Sequence, residues 1–226
     1  MAIYPYHISR KNAIELEEKL LEKEIKISKD SAIYRLGFDL LETAEQKFFS
    51  TFTTSEEDKR GYYRRVTGFN DFISRILKFI DDDEKFSIMK SHLKLLNEAS
   101  IIQNTSSSID DSATNKLFEL YIALLCFPNF NDVALDHAIS SKGDNPDIIF
   151  NYKERKWSIA CKTPHSFEPK KIFENIEKGI SQIENAEVDL GFVLINLKNI
   201  IDHDKLWPVK KINNNLWEIK QYDSYD

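Results

Sequence analysis

The chain has 226 residues, of which 42% are hydrophobic and 30% are charged, and its formal net charge is -6. An acidic chain of ordinary composition does not coat polyanions over its whole surface, which leaves a local basic cleft as the alternative. No apolar run approaches the ~20 residues of a membrane span, and no secretory signal is visible at the start. The two cysteines, Cys126 and Cys161, form no Cys-x-x-Cys pair. We therefore expect buried thiols and a cytoplasmic protein.

The first half of the chain has the apolar spacing of helices. Five stripes predict four or five helices before residue 104 and no sheet of three or more strands. They start near Ile14, near Ile33, behind Ser55, near Phe72 and near Phe86. The polar, Ser-rich stretch 104–112 then predicts a linker. We assign residues 1–103 to a helical region that serves partner binding, homo-oligomerisation or substrate choice.

The second half predicts an α/β unit over residues 112–226. A helix over 115–127 is followed by strand candidates at 132–138, 147–152 and 157–163, the last two joined as a hairpin. Pro169 suits the first turn of a helix that runs to about residue 186, and the apolar run 190–197 predicts another strand. The order of elements is therefore α-β-β-β-α-β.

The end of the third strand holds an unusual pattern of residues. Side chains alternate across a strand, so Ala160 and Lys162 share one face and Cys161 lies on the other, which we expect to be the core. The hairpin can bring Asp147 beside Ala160 and Lys162. Converging carboxylate and carbonyl oxygens bind hard divalent cations, and a lysine beside them can hold an attacking water or offset negative charge.

The segment 112–197 resembles the core of the PD-(D/E)XK nuclease superfamily, whose restriction-endonuclease-like fold has the same α-β-β-β-α-β order. Pro146-Asp147 matches the first element of the motif, and Lys162 matches its final lysine. The resemblance implies an Mg²⁺ or Mn²⁺ site formed by Asp147, the backbone carbonyl of Cys161 and Glu119 of the first helix. It also implies that Lys162 orients or activates water and that Gln182 of the following helix holds substrate or the lysine.

Ala160 stands where the superfamily has the acid of its acid-x-Lys pair. One explanation is a naturally degenerate nuclease, with the acid supplied from elsewhere. The other is an engineered knockout that binds substrate without cutting it, which we favour because Asp147, Lys162, Glu119 and Gln182 all remain. On this interpretation the chain as written binds nucleic acid only. Ala160→Glu, at a residue expected to point away from the core, would create or restore metal-dependent cleavage.

Each candidate residue also has a structural explanation. Asp147 could open a strand after a turn, Lys162 could extend to solvent from a strand end, and Glu119 and Gln182 could lie on solvated helix faces. Basic residues that could contact nucleic acid could equally be surface charges. They are Arg60, Arg64 and Arg65, interleaved with Tyr62 and Tyr63, and the rim lysines Lys170, Lys171 and Lys178.

The sequence therefore predicts a divalent-metal-dependent nuclease that acts on nucleic acid, DNA rather than RNA, in a bacterial defence or restriction setting by analogy of fold. Two alternatives stay open. The first is a binding module that recognises nucleic acid or a protein on a degenerate nuclease fold. The second is a helical interaction protein whose second half is a scaffold.

Overall fold

Helices make up the first half of the chain, and a four-stranded sheet with helices packed against it makes up the second half. The computed structural model describes residues 6–45, 60–100, 111–141, 143–201, 209–213 and 216–219, with side chains described for 11–39, 65–100, 111–141 and 143–201. The helices are α1 Tyr6–Glu22, α2 Ala32–Glu45, α3 Arg60–Leu77, α4 Asp83–Leu93, a 3₁₀ helix Lys94–Asn97, α5 Ser112–Cys126 and α6 Pro169–Glu184. The strands are β1 Asn131–Leu135, β2 Ile148–Tyr152, β3 Arg155–Lys162, β4 Leu190–Ile195, β5 Val209–Asn213 and β6 Leu216–Ile219.

The structure confirms a mixed α/β protein, and from α5 to β4 the elements follow the predicted order α-β-β-β-α-β. The described part of residues 10–100 is helical and contains no strand. In this part of the chain the sequence predicts separate helices behind Ser55 and near Phe72, whereas the structure has the single helix α3. The apolar stripe of α3 already begins at Val66 and Phe69, which joins the two segments. The proposed start at Ser55 lies outside the described residues.

Local signals fix the ends of the helices that carry the site. Asp111 caps α5 by accepting a hydrogen bond of 2.9 Å from the Thr114 amide. Asp82 caps α4 in the same way through the Lys85 amide, at 3.1 Å. Pro169 opens α6, as the sequence predicts.

The main sheet has the strand order β1-β2-β3-β4. β2 is antiparallel to both β1 and β3, and β3 is parallel to β4, with α6 as the connection between them. β5 and β6 form a separate antiparallel pair. Ile148 pairs with Ile159, so Asp147, one residue before β2, comes opposite Ala160. The sheet itself therefore brings the two strand ends of the predicted motif together.

One cluster of buried apolar side chains spans both halves of the chain. It includes Leu20 and Phe72 from the helical half and Leu120 and Ile159 from the α/β half. α5 is in contact with α3 and α4 as well as with β1, β2 and β3. The Tyr121 hydroxyl on α5 also donates to Asp71 on α3, at 2.8 Å. The predicted regions 1–103 and 112–226 therefore share a core through α5.

Both faces of β3 are buried, which corrects one expectation from the sequence. Ile159 and Cys161 lie in the core, as predicted, but Ala160 on the opposite face is 0% exposed. α6 packs closely on this face of the sheet, since a β-carbon on its Gly179 would lie 2.8 Å from both γ-carbons of Val193, the β4 partner of Ala160. The expectation that residue 160 points away from the core is wrong, because a strand between two helical layers has no solvent face.

Among the described residues, none of the helices combines the length and the hydropathy needed to cross a lipid bilayer.

Candidate active site

Asp147 and Lys162 meet at the backbone of Cys161. The Cys161 amide donates a hydrogen bond of 2.7 Å to Oδ2 of Asp147. Its carbonyl accepts a hydrogen bond of 3.2 Å from Nζ of Lys162. Asp147 is 5% exposed, so its carboxylate depends on this amide and on nearby cations for its stabilisation. The structure thus brings together the acid, the carbonyl and the lysine of the predicted motif.

Gln182 of α6 holds Lys162 and the loop that leads to Asp147. Its Oε1 accepts a short hydrogen bond from the Lys162 ammonium. Its amide nitrogen donates to the carbonyls of Gly143 and Asn145, both at 2.8 Å. Gly143 has φ +75°, a left-handed conformation that glycine adopts without a steric penalty. The Gln182 oxygen therefore orients Lys162, and the Gln182 nitrogen orients the loop that leads into Pro146-Asp147.

α5 places a carboxylate and an ammonium group against Asp147. Oε2 of Glu119 accepts a hydrogen bond of 2.8 Å from Nζ of Lys116, and the same nitrogen lies 3.8 Å from Oδ1 of Asp147. Glu119 is 6% exposed. The spacing i, i+3 puts Lys116 and Glu119 on one face of the helix. The structure therefore adds Glu119 to the site, as the resemblance implies, and adds Lys116 as well.

His92 extends the site into the helical half. It lies on α4, is fully buried, and its Nε2 is 3.5 Å from Oε2 of Glu119. Burial, with a further contribution from the nearby Lys116 charge, lowers the pKa of His92 to about 3. The ring is therefore neutral at physiological pH and can act as a hydrogen-bond partner rather than as a charge.

The two carboxyl groups are electrostatically coupled. Burial raises the pKa of Asp147 to about 6, and the neighbouring Glu119 carboxylate adds to the rise. Burial also raises the pKa of Glu119, although Lys116 and a hydrogen bond with Asp147 oppose this rise. Two carboxylates this close compete for ionisation, so a cation between them stabilises the charged form of both.

A cavity of about 530 Å³ opens beside the predicted lysine and glutamine. Its charged lining consists of Lys162 and Lys178 against Asp144, Glu174 and Glu177. Lys178, one of the predicted nucleic-acid contacts, therefore does line the space next to Lys162. The mixed charge suits a few local contacts with phosphate rather than a wide basic surface.

The other predicted nucleic-acid contacts do not line this cavity or lie outside the described side chains. Lys170 and Lys171 are exposed at the start of α6, and Lys171 pairs with Glu174 at 3.1 Å. Arg65 is partly buried on α3. Along the axis of α3, Arg65 lies about 15 Å before Arg75, whose guanidinium group contacts Tyr121 of α5. The side chains of Arg60 and Arg64 lie outside the described set.

The donor atoms of the site fit Mg²⁺ or Mn²⁺ in their chemistry. Asp147 and Glu119 offer carboxylate oxygens and Cys161 a carbonyl oxygen, and these are the hard ligands that such ions prefer. Over the described residues, no group of three or more His, Cys, Asp or Glu side chains is arranged to hold a metal ion. The set is thus two carboxylates and one carbonyl, to which Ala160 contributes no ligand.

Sequence reasoning missed Lys116 and His92. The i, i+3 spacing of Lys116 and Glu119 is a signal that was present, but it is shared by many solvated helix pairs. His92 gives no local signal, because its contact with Glu119 depends on how α4 packs against α5.

Comparisons of the chain with protein-family models, with curated proteins and with solved structures give no match.

Proposed function

We propose that this protein is a divalent-metal-dependent nuclease of the PD-(D/E)XK type, which hydrolyses phosphodiester bonds in nucleic acid. The observation that carries the proposal is the arrangement around Cys161. Asp147 accepts a hydrogen bond from the Cys161 amide, and Lys162 donates one to the Cys161 carbonyl. Glu119 shares the Lys116 ammonium group with Asp147. An acid, a carbonyl and a lysine that converge at the shared end of β2 and β3 suit metal-assisted attack on a phosphate.

The second carboxylate of the site, in this proposal, is Glu119 rather than a residue at position 160. Its carboxyl group shares the Lys116 ammonium group with that of Asp147, at 2.8 Å and 3.8 Å respectively. Ala160, in contrast, is 0% exposed between the sheet and α6. The arrangement supports the explanation in which the acid comes from elsewhere in the fold over the explanation of an engineered knockout.

The residues of the chain divide the work as follows. Asp147, Glu119 and the Cys161 carbonyl would hold the ion, which when bound supplies Lewis-acid polarisation of the phosphate and its water. Lys162, held by Gln182, faces the cavity and offsets the negative charge that develops on the phosphate. Lys178 on the same cavity contacts a neighbouring phosphate.

The substrate that we propose is DNA rather than RNA, in restriction or antiviral defence, by resemblance of the motif alone. The net charge of -6 and the mixed cavity support a small number of phosphate contacts. Affinity for nucleic acid should then fall with a shallow salt dependence, since the slope scales with the number of phosphates that are neutralised.

The test is a cleavage assay with the full chain on single- and double-stranded DNA and RNA, with Mg²⁺, with Mn²⁺ and with a chelator. Lys162→Met should lower the cleavage rate at least about 100-fold. The matched control Lys156→Met removes an exposed lysine about 20 Å away along the same strand and should leave the rate unchanged. Equal rates for the original chain and Lys162→Met would mean that the cleavage comes from elsewhere.

A second candidate function is a non-catalytic nucleic-acid-binding module on the same fold. The proximity of the Lys116 ammonium group to both carboxylates favours it, because this group neutralises charge where a metal ion would lie. Binding of nucleic acid that is equal with Mg²⁺ and with chelator, without cutting on any substrate, would support this candidate over the nuclease.

A further inference from the structure

The Lys116 side chain points into the site, not into solvent. Its ammonium nitrogen is 2.8 Å from Glu119 and 3.8 Å from Asp147, and its side chain is 22% exposed. The Asp136 carboxylate also acts on this ammonium group. One oxygen of Asp136 is buried and has no hydrogen-bond partner in the described part of the chain. Lys116 is therefore surrounded by negative charge that the fold holds in place.

A surface ion pair at i, i+3 would not require this arrangement. Such pairs on a helix usually lie in solvent and contribute little to stability. Here both carboxylates are more than nine-tenths buried, and among the described residues Lys116 is the one lysine whose ammonium nitrogen lies within 4 Å of both. Lys162 is engaged by Gln182 and by the Cys161 carbonyl instead.

We propose that Lys116 is an internal cation that competes with the divalent metal ion for Asp147 and Glu119, and thereby sets the metal affinity of the site. This inference rests on the proposed function, because it concerns the same two carboxylates. An ammonium group and a metal ion repel each other at such distances, so the ion binds only when the flexible lysine moves aside. The partial exposure of the Lys116 side chain gives it a route towards solvent.

Two features of the site favour an ammonium group of Lys116 that a metal ion can displace, rather than a fixed ion pair. The stem of a lysine is long and has four rotatable bonds, so its ammonium group can move without a change in the helix. His92 contacts the same Glu119 oxygen and can keep that carboxylate in place when Lys116 leaves. The carboxylate pair is thus held by groups other than the lysine that screens it.

The experiment measures Mn²⁺ binding to the metal-free full chain by electron paramagnetic resonance of the free ion. Lys116→Met, of similar length and without charge, should bind Mn²⁺ about tenfold or more tightly than the original chain. The matched control Lys156→Met removes an exposed lysine of β3 outside the site and should change the affinity by less than about twofold. Adding Asp147→Asn to Lys116→Met should abolish the gain.

Unchanged or weaker Mn²⁺ binding by folded Lys116→Met would overturn the inference, and so would undetectable binding in every variant. Lys116→Arg provides a test that keeps the charge, should the Met variant fail to fold. Its affinity should be equal to or below that of the original chain, and a higher affinity would overturn the inference.

The binding readout separates this inference from the nuclease proposal. Tighter Mn²⁺ binding by Lys116→Met, with no cleavage by any form of the chain, would support the inference and remove the nuclease function. Metal-dependent cleavage by the original chain, with no change of affinity in Lys116→Met, would support the nuclease and remove the inference.

Discussion

The backbone amide of Cys161 donates a hydrogen bond of 2.7 Å to the carboxylate of Asp147, just beyond the Ile148–Ile159 pair that ends the β2–β3 ladder. A side chain here takes the place of a backbone acceptor. The bond fixes the carboxylate in the interior, where it faces α5 rather than solvent. It also makes Asp147 a structural residue as well as a candidate ligand, and substitutions there separate the two roles.

Asp147→Asn should fold and should be at least as stable as the original chain at pH 7. Asn keeps an oxygen acceptor for the Cys161 amide and removes a buried negative charge. Since the folded pKa of Asp147 is raised to about 6, its stabilising contribution is present below about pH 4 and is lost as the pH rises through 6. Urea denaturation at pH 7 and at pH 4 measures the effect.

Asp147→Ala is the contrasting variant. It leaves the Cys161 amide buried without its acceptor and should cost about 1–3 kcal/mol of the free energy of unfolding. A loss of equal size in Asp147→Asn and Asp147→Ala would show that the hydrogen bond is not what the carboxylate contributes.

Ala160→Glu should destabilise the fold by roughly 2 kcal/mol or more, measured by urea denaturation. Ala160 is 0% exposed, and the new carboxylate would have to be buried beneath α6. The control is Lys156→Glu, which introduces a glutamate at an exposed position of the same strand and should cost much less stability. Full stability of Ala160→Glu, combined with stabilisation by Mg²⁺ that the original chain lacks, would instead identify position 160 as the site of a missing acid.

His92 should make the stability of the protein fall at acidic pH. Its folded pKa of about 3 lies below its ordinary value of 6.5, so the unfolded chain binds a proton that the folded chain does not. Relative to His92→Gln, the original chain should therefore lose roughly 1 kcal/mol of the free energy of unfolding for each pH unit from about 6.5 down to about 3. The titration of Asp147 is common to both forms and largely cancels in the difference.

The measurement is urea denaturation of both forms at several pH values between 4 and 7.5. A difference between them that stays constant with pH would mean that the buried ring accepts a proton in the folded state, and that our account of His92 is wrong.

Gly179→Ala should destabilise the protein by about 1–2 kcal/mol, although alanine is the better helix former. The new β-carbon would lie 2.8 Å from the γ-carbons of Val193, and this contact forces α6 away from the sheet. In the double variant with Val193→Ala the loss should be smaller than the sum of the single losses. Gly68→Ala on α3 is the control, because a β-carbon there meets nothing within 4 Å and should stabilise by up to ~1 kcal/mol.

The sequence predicts the elements of this fold well where apolar periodicity is the physical cause. The strands 148–152 and 155–162 follow from continuous apolar runs around a polar turn, and α6 follows from Pro169 and its stripe. Strand parity also places Ala160 on the face of Lys162 correctly. Parity does not show what covers a face, and α6 buries Ala160 on the side that the sequence predicts to be polar.

The candidate site is only partly visible from the sequence for a related reason. Asp147, Lys162 and Gln182 lie on elements whose order a motif can specify, and the structure brings them together. Lys116 and His92 join them through the packing of α5 against α4 and the sheet. Contacts between elements far apart in the chain leave no spacing pattern, so no local rule indicates them.

The position of α5 between the helices and the sheet also constrains how the protein is made. α5 leaves the ribosome before any strand of the main sheet, with apolar residues such as Leu117, Leu120 and Leu124 ready to be buried. The helices α3 and α4, already synthesised, can shelter one side of it through contacts that are short in sequence. The side of α5 that carries Glu119 gains its partners later, because Asp147, Lys162 and finally Gln182 are synthesised after it. During translation we therefore expect the helical layer to be the surface on which the sheet forms, and the candidate site to be completed only once α6 has emerged.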